Sequence, residues 1–149
     1  GVHFFNPPRY MHLVELIAGS ETEAAILDDL EKFLVTTLGK GVIRAKDTPN
    51  FIANRVGVFS MLATMHHAQQ FNIGLDTVDA LTGSLIGRPR SATFRTADVV
   101  GLDTFAHVVD TMKNALSGDP WHGYYQVPSW LKALIGAGAL GQKTRRGVY

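Results

Sequence analysis

His3 and Glu15 are the two residues whose types and positions could do proton chemistry. Each lies in a short run rich in β-branched and aromatic residues, 2–5 and 12–18, with the turn-prone Asn6-Pro7-Pro8-Arg9 between the runs. Such runs read as strands, and adjacent strands can bring an imidazole against a carboxylate. The carboxylate would then fix the imidazole tautomer and stabilise the imidazolium formed when a proton is taken. Oxidation of a hydroxyl needs a base of this kind, because a proton must leave oxygen as hydride leaves carbon. Spacing alone leaves open a plainer reading, in which His3 is a hydrogen-bonded strand histidine and Glu15 a surface residue. The other histidines do not suggest a metal. His66 and His67 are adjacent, so on a helix they point about 100° apart, and His12, His107 and His122 have no ligand spacing of the His-Glu-x-x-His kind. No metal site is expected.

The elements that must hold His3 and Glu15 follow from local signals. Consecutive prolines exclude a helix between the two runs. Ser20 stands three residues before Glu23, a capping-box pattern. Ile26, Leu27, Leu30, Phe33, Leu34 and Leu38 follow at helical spacing before Gly39, which predicts a helix over about 21–38. Val42 and Ile43 give a further strand, so residues 1–45 read β-β-α-β. The polar, proline-containing Lys46-Asp47-Thr48-Pro49-Asn50 marks a boundary. Beyond it the pattern is helical over 51–72, Leu75–Leu85, Thr93–Val100, Thr104–Leu116 and Pro128–Ile135. The first of these is apolar on most faces and should be buried between others. Gly136–Tyr149 should fold back over the surface. The fold class is mainly α, a helical part over 46–149 preceded by the β-β-α-β end of an α/β layer.

Composition sets the outer limits. The 149 residues are 46% hydrophobic and 18% charged, an ordinary globular balance. Fourteen basic against 13 acidic side chains leave a formal charge of +1, which gives no reason to expect nucleic acid or an anionic membrane as a partner. No apolar run approaches the roughly 20 residues that span a bilayer. The absence of cysteine excludes disulfides and thiolate chemistry and suits a reducing cytoplasm, the expected location. The opening Gly1-Val2-His3-Phe4-Phe5 has no Met and no lead-in, and it reads as the start of a piece excised from a longer protein.

Four blocks in order carry a family resemblance. Gly1-Val2-His3-Phe4-Phe5-Asn6-Pro7, with Met11 and Leu13-Val14-Glu15 after it, closely resembles the signature of L-3-hydroxyacyl-CoA dehydrogenases. Lys46-Asp47-Thr48-Pro49-Asn50-Phe51-Ile52-Ala53-Asn54-Arg55 is similar to the segment that opens that family's helical domain. Ala97-Asp98-Val99-Val100-Gly101-Leu102-Asp103-Thr104 and Gly141-Gln142-Lys143-Thr144-Arg145-Arg146-Gly147-Val148-Tyr149 resemble two later blocks. The resemblance implies that residues 1–45 are the end of a Rossmann-type NAD-binding domain and 46–149 a helical substrate-binding and dimerisation domain. It implies His3 as general base, Glu15 as its partner, Asn54 near the substrate's 3-oxygen, and Asn6 and Lys143 toward NAD. The reaction implied is oxidation of an L-3-hydroxyacyl-CoA to the 3-ketoacyl-CoA, as in fatty-acid β-oxidation. A 3-hydroxybutyryl-CoA or other 3-hydroxy acid dehydrogenase is the alternative on the same scaffold, and a helical dimerisation or docking module without activity is the alternative of another class.

Two departures qualify what the resemblance implies. The family's strand, glycine-rich turn and helix that cradle the pyrophosphate have no counterpart here, since the only glycine clusters are Gly136-Ala137-Gly138 and Gly141. The fragment alone is therefore expected to bind NAD poorly and to be inactive. Arg88-Pro89-Arg90-Ser91-Ala92-Thr93-Phe94-Arg95 stands where many relatives read Gly-Pro-Phe, and it looks more like long members fused to an enoyl-CoA hydratase. The implied partners are an acyl-CoA thioester and either a second copy or neighbouring domains. Residues 1–45 should expose a sheet edge and an apolar face that call for disorder, swapping or an intermolecular contact.

Overall fold

The two short runs around the proline turn form an antiparallel pair, β1 (Val2–Phe4) and β2 (Leu13–Ala18), with His3 directly opposite Glu15. The computed structural model describes residues 1–149. β3 (Gly41–Lys46) runs parallel to β2 over its whole length, so the sheet order is β1-β2-β3. A parallel neighbour requires a crossover, which α1 (Ala24–Thr36) supplies. Val14, Glu15, Leu16 and Ile17 of β2 are all buried. Continuous burial is what a strand with both neighbours in place shows. Leu27 and Leu34 of α1 close a small core with Val14 and Leu16. Val2, Phe4, Ile26, Phe33 and Ile43 stay exposed in this part of the chain.

The capping box does not form. α1 begins at Ala24, and Glu23 before it is extended with no side-chain cap. A turn between their neighbours forms at this point instead: Thr22 N–H donates to the Gly19 carbonyl at 3.1 Å, and the Thr22 hydroxyl accepts from Gly19 N–H at 3.0 Å. Local side-chain bonding of this kind competes with helix initiation. At the other end Gly39 is left-handed (φ 63°) and Lys40 N–H reaches the Leu34 carbonyl, which satisfies a terminal helix acceptor.

The chain forms two compact units, Gly1–Asn54 and Arg55–Tyr149. The helices are α2 (Ala53–Gln70), α3 (Leu75–Thr82), α4 (Phe94–Val100), α5 (Leu102–Ala115) and α6 (Ser129–Gly136), with short 3-10 turns at Ser84–Ile86, His122–Tyr124 and Gln142–Thr144. Architecturally this is the mainly α fold preceded by β-β-α-β that the sequence predicts. α2 starts two residues later than periodicity suggests, because Asn50 and Phe51 are both left-handed (φ 61° and 49°). The core of the second unit centres on Leu62, Phe94, Leu102, Phe105, Met112 and Leu131.

The expectation that α2 is buried between other elements is met along one face only. Val58, Leu62, Met65 and Ala68 form one buried stripe, while Val56 and Phe71 are exposed. Phe59, Ala63 and Phe71 of that region line an open apolar groove of about 570 Å³ with Ile73 and Leu81. One stripe satisfies the core of this unit, and the opposite face opens onto the groove, with Arg88 bonded to Ser60 and Tyr124 against His67.

Gly136–Tyr149 does more than drape over the surface. Gly141 and Arg146 pair as a β-bridge, and the buried carboxylate of Asp98 accepts from Val148 N–H at 2.8 Å and Tyr149 N–H at 3.1 Å. A Cβ added at Gly147 would overlap that carboxylate and stand 2.7 Å from the Gly141 Cα. Gly147→Ala is therefore expected to destabilise the protein by about 2–3 kcal/mol through overpacking. Thermal unfolding checks this against Gly136→Ala, where an added Cβ meets nothing within 4 Å and the midpoint should hold or rise.

Candidate active site

The site is built by strand register and a helix N-terminus. With His3 opposite Glu15 across β1 and β2, the imidazole Nδ1 lies 2.7 Å from Glu15 Oε2. The Glu15 side chain is wholly buried and the His3 side chain is 30% exposed, so one group is fixed and the other can meet a ligand. Glu15 Oε1 accepts from Ile52 N–H at 2.9 Å and Ala53 N–H at 2.8 Å, at the start of α2. These amides belong to the set a helix leaves unpaired at its N-terminus, where the macrodipole also favours an anion.

Burial works against the charge on Glu15, but the His3 hydrogen bond and the Ala53 and Ile52 amides outweigh it and hold the carboxyl below its ordinary value of 4.5. A charged carboxylate only accepts. In the neutral imidazole the proton then sits on Nδ1 and the lone pair on Nε2. The arrangement can hold an imidazole in the tautomer that takes a proton at Nε2.

Because the folded value is depressed, Glu15 contributes stability above its unfolded pKa and loses it as pH falls through the folded value. Thermal midpoints should fall between about pH 5 and pH 3, and Glu15→Gln should flatten that acid limb while lowering the midpoint at neutral pH. An unchanged slope in the variant would remove Glu15 from the acid response.

The remaining predicted residues divide between the two units. Asn54 is the second residue of α2, half-buried, in the turn whose amides Glu15 holds. Asn6 is exposed on the loop after β1, which Lys40 ties down by donating from Nζ to the Pro8 carbonyl at 2.5 Å and the Met11 carbonyl at 2.7 Å. Lys143 lies in the second unit, with Nζ 2.6 Å from both carboxylate oxygens of Asp103. That ammonium holds the Asp103 carboxyl below the usual range. The structure thus brings together His3, Glu15 and the turn that carries Asn54, sets Asn6 on a tethered loop, and engages Lys143 in an ion pair. No group of three or more His, Asp or Glu side chains is close enough to hold a metal ion.

Sequence reasoning missed the two amides on Glu15, and also Phe5 and Phe51, whose rings lie 4.6 and 5.4 Å from the His3 ring. The available signal was Thr48-Pro49-Asn50 ahead of an apolar helix, since the first amides of a helix need acceptors. A cavity of about 410 Å³ beside the imidazole is lined by His3, Thr22, Asp47 and Phe51 among others.

Residues 51–149 match the family described as 3-hydroxyacyl-CoA dehydrogenase, C-terminal domain, and residues 1–48 match 3-hydroxyacyl-CoA dehydrogenase, NAD binding domain. The chain belongs to the 3-hydroxyacyl-CoA dehydrogenase family. Over all 149 residues it is 47% identical to a Bacillus subtilis protein named "Probable 3-hydroxyacyl-CoA dehydrogenase", of which it spans 19%. It is 41% identical to a protein of the same name from Deinococcus radiodurans, of which it spans 42%. The crystal structure of (S)-3-hydroxybutyryl-CoA dehydrogenase from Ralstonia eutropha superposes with a TM-score of 0.83 at 31% identity, over 100% of this chain and 50% of that one. The chain therefore spans half or less of these 3-hydroxyacyl-CoA dehydrogenase relatives. No helix in it is long and apolar enough to cross a membrane.

Proposed function

We propose that these residues serve an NAD-dependent L-3-hydroxyacyl-CoA dehydrogenase that oxidises the 3-hydroxyl of an acyl-CoA thioester to a ketone. The observation that supports this best is the His3–Glu15 contact of 2.7 Å, with the second carboxylate oxygen held by the start of α2. In this reading His3 Nε2 takes the hydroxyl proton, and the buried Glu15 carboxylate stabilises the imidazolium and keeps the ring in register. Asn54 hydrogen-bonds the 3-oxygen as charge develops there. Glu15 binds both the imidazole and the turn that carries Asn54, so one side chain sets the base and the oxygen-holding residue relative to each other.

NAD is the hydride acceptor in this reading, with Asn6 and Lys143 toward it. The 149 residues do not fit its pyrophosphate, because no strand in them leads into a glycine-rich turn and a helix start. Residues 1–45 are proposed as part of the NAD-binding domain and 46–149 as the substrate-binding and dimerisation domain. The 149 residues alone are proposed to be inactive, and the protein to be cytoplasmic.

NADH oxidation driven by acetoacetyl-CoA tests the reading. Turnover by the full-length enzyme, none by the 149 residues alone, and none with free acetoacetate are the expected results. Equal turnover of free acetoacetate would replace the thioester with a 3-hydroxy acid. The open apolar groove of the second unit favours a further role for 46–149 in dimerisation or domain docking. A strictly monomeric sedimentation profile of the full-length enzyme would remove the dimer.

A further inference from the structure

We propose that Phe51 is a positioning residue for the His3 imidazole, and that the left-handed backbone at Asn50–Phe51 persists because it sets that ring beside His3 while turning the next two amides onto Glu15. The inference rests on the reading of His3 as the base. Left-handed asparagine is routine, but a bulky aromatic at φ 49° is an outlier whose backbone would be better served by glycine. Such strain persists where the surroundings over-determine it, and it clusters at functional sites.

Three contacts hold the segment in place. Phe51 N–H donates to the Thr48 carbonyl at 3.0 Å, and Ile52 and Ala53 N–H donate to Glu15. Those bonds use only the backbone, so they would hold equally well with glycine at position 51. What a glycine would lose is the ring. Its centroid lies 5.4 Å from that of His3 at a tilt of 54°, and Phe5 contributes a second ring at 4.6 Å and 57°. Both fall in the favourable range for tilted aromatic pairs. The need for them follows from the rest of the site. The hydrogen bond to Glu15 fixes one point of the imidazole but leaves it free to pivot, and the side chain is 30% exposed. Ring contacts restrict the pivot and so aim Nε2.

The test uses Phe51→Gly, Phe51→Leu and Phe51→Tyr in the full-length enzyme, with His3→Gln in the same series. Glycine keeps the backbone conformation without a side chain, leucine keeps apolar bulk without a ring, and tyrosine keeps the ring. Expected is a fall in kcat of roughly tenfold for Gly and Leu, as for a slightly misaimed group. KM should change by less than about twofold, and Tyr should restore kcat. NMR of the His3 ring protons should show a ring-current contribution from Phe51 that disappears in Gly and Leu, leaving that of Phe5, and is kept in Tyr. A fall in kcat without a change in KM, restored by Tyr, is what a merely structural role would not produce. Undiminished kcat in Gly and Leu, with His3→Gln inactive, overturns the role of Phe51 and leaves the base intact. A fall in kcat without loss of the ring-current shift overturns it as well. An active His3→Gln removes the base, and the inference with it.

Discussion

With His3 as the proposed general base, replacing it by glutamine is expected to lower the turnover of the full-length protein by roughly 10²–10⁴-fold, the usual contribution of such a base. The glutamine amide is close to imidazole in size and can still donate an N–H to Glu15, so the buried carboxylate keeps a partner where the imidazole Nδ1 now lies at 2.7 Å. It cannot take a proton at neutral pH. The loss should therefore appear in kcat with KM little changed, and the thermal midpoint should stay near that of the parent. Glu15→Gln behaves differently. Its amide cannot accept as strongly, and one end presents donors toward the imidazole N–H or toward the Ile52 and Ala53 amides, which need an acceptor. Activity and stability then fall together. The contrast separates loss of a base from loss of the group that holds it. His3→Gln with kcat within about threefold of the parent would mean that His3 is not the base, and the mechanism would have to be rebuilt.

How much of this was readable without coordinates depends on the range of the forces involved. β1, β2, α1 and the five helices of the second part announce themselves through periodicity and punctuation, which are local. The facing of residues 3 and 15 was only partly readable, because spacing allows the two strands to pair but does not by itself set the register that puts His3 opposite Glu15. The acceptor at the start of α2 was not readable. The carboxylate that meets its first amides comes from Glu15, far away in sequence. The same blindness explains Ser20 and Glu23: the box pattern is present, but Gly19 and Thr22 close a turn first. In the sequence, Asp98 stands only as one residue of the block 97–104. Its role as acceptor for the last two amides requires residues 50 positions apart to meet. Long-range polar pairing leaves little trace in hydrophobic patterning, and this site depends on it.

Asp79→Ala costs about 3–5 kcal/mol, a large share of the roughly 5–15 kcal/mol that stabilises a typical domain. Asp79 lies on α3 with 4% of its surface exposed, yet it caps a different helix. Its Oδ1 accepts from Thr93 N–H at 3.0 Å and Phe94 N–H at 2.7 Å, and its Oδ2 accepts from Arg95 N–H at 3.1 Å. These are the first amides of α4, whose preceding residue, Thr93, provides no side-chain cap. The Tyr149 hydroxyl also donates to Oδ2 at 3.1 Å, and the Arg95 guanidinium stacks on the Tyr149 ring at 4.3 Å. Partial burial, and then the Asp79 charge, push that hydroxyl up to about 12, so it remains a donor at any ordinary pH. Alanine strands the buried Thr93 and Phe94 amides at once, each unmet donor costing about 1–3 kcal/mol before relaxation, while the half-exposed Arg95 and Tyr149 groups lose their acceptor but can turn to water. Asp79→Asn keeps a single acceptor oxygen and should lose about half as much. Asp76→Ala is the control. That carboxylate is 86% exposed and 3.6 Å from Arg95, so its loss should stay within about 0.5 kcal/mol. Urea unfolding of the three variants gives the order. If Asp79→Ala proves no worse than Asp76→Ala, the carboxylate is not what anchors α4, and Asp98, which sits on α4 and holds Val148 and Tyr149, must hold that helix from the other side.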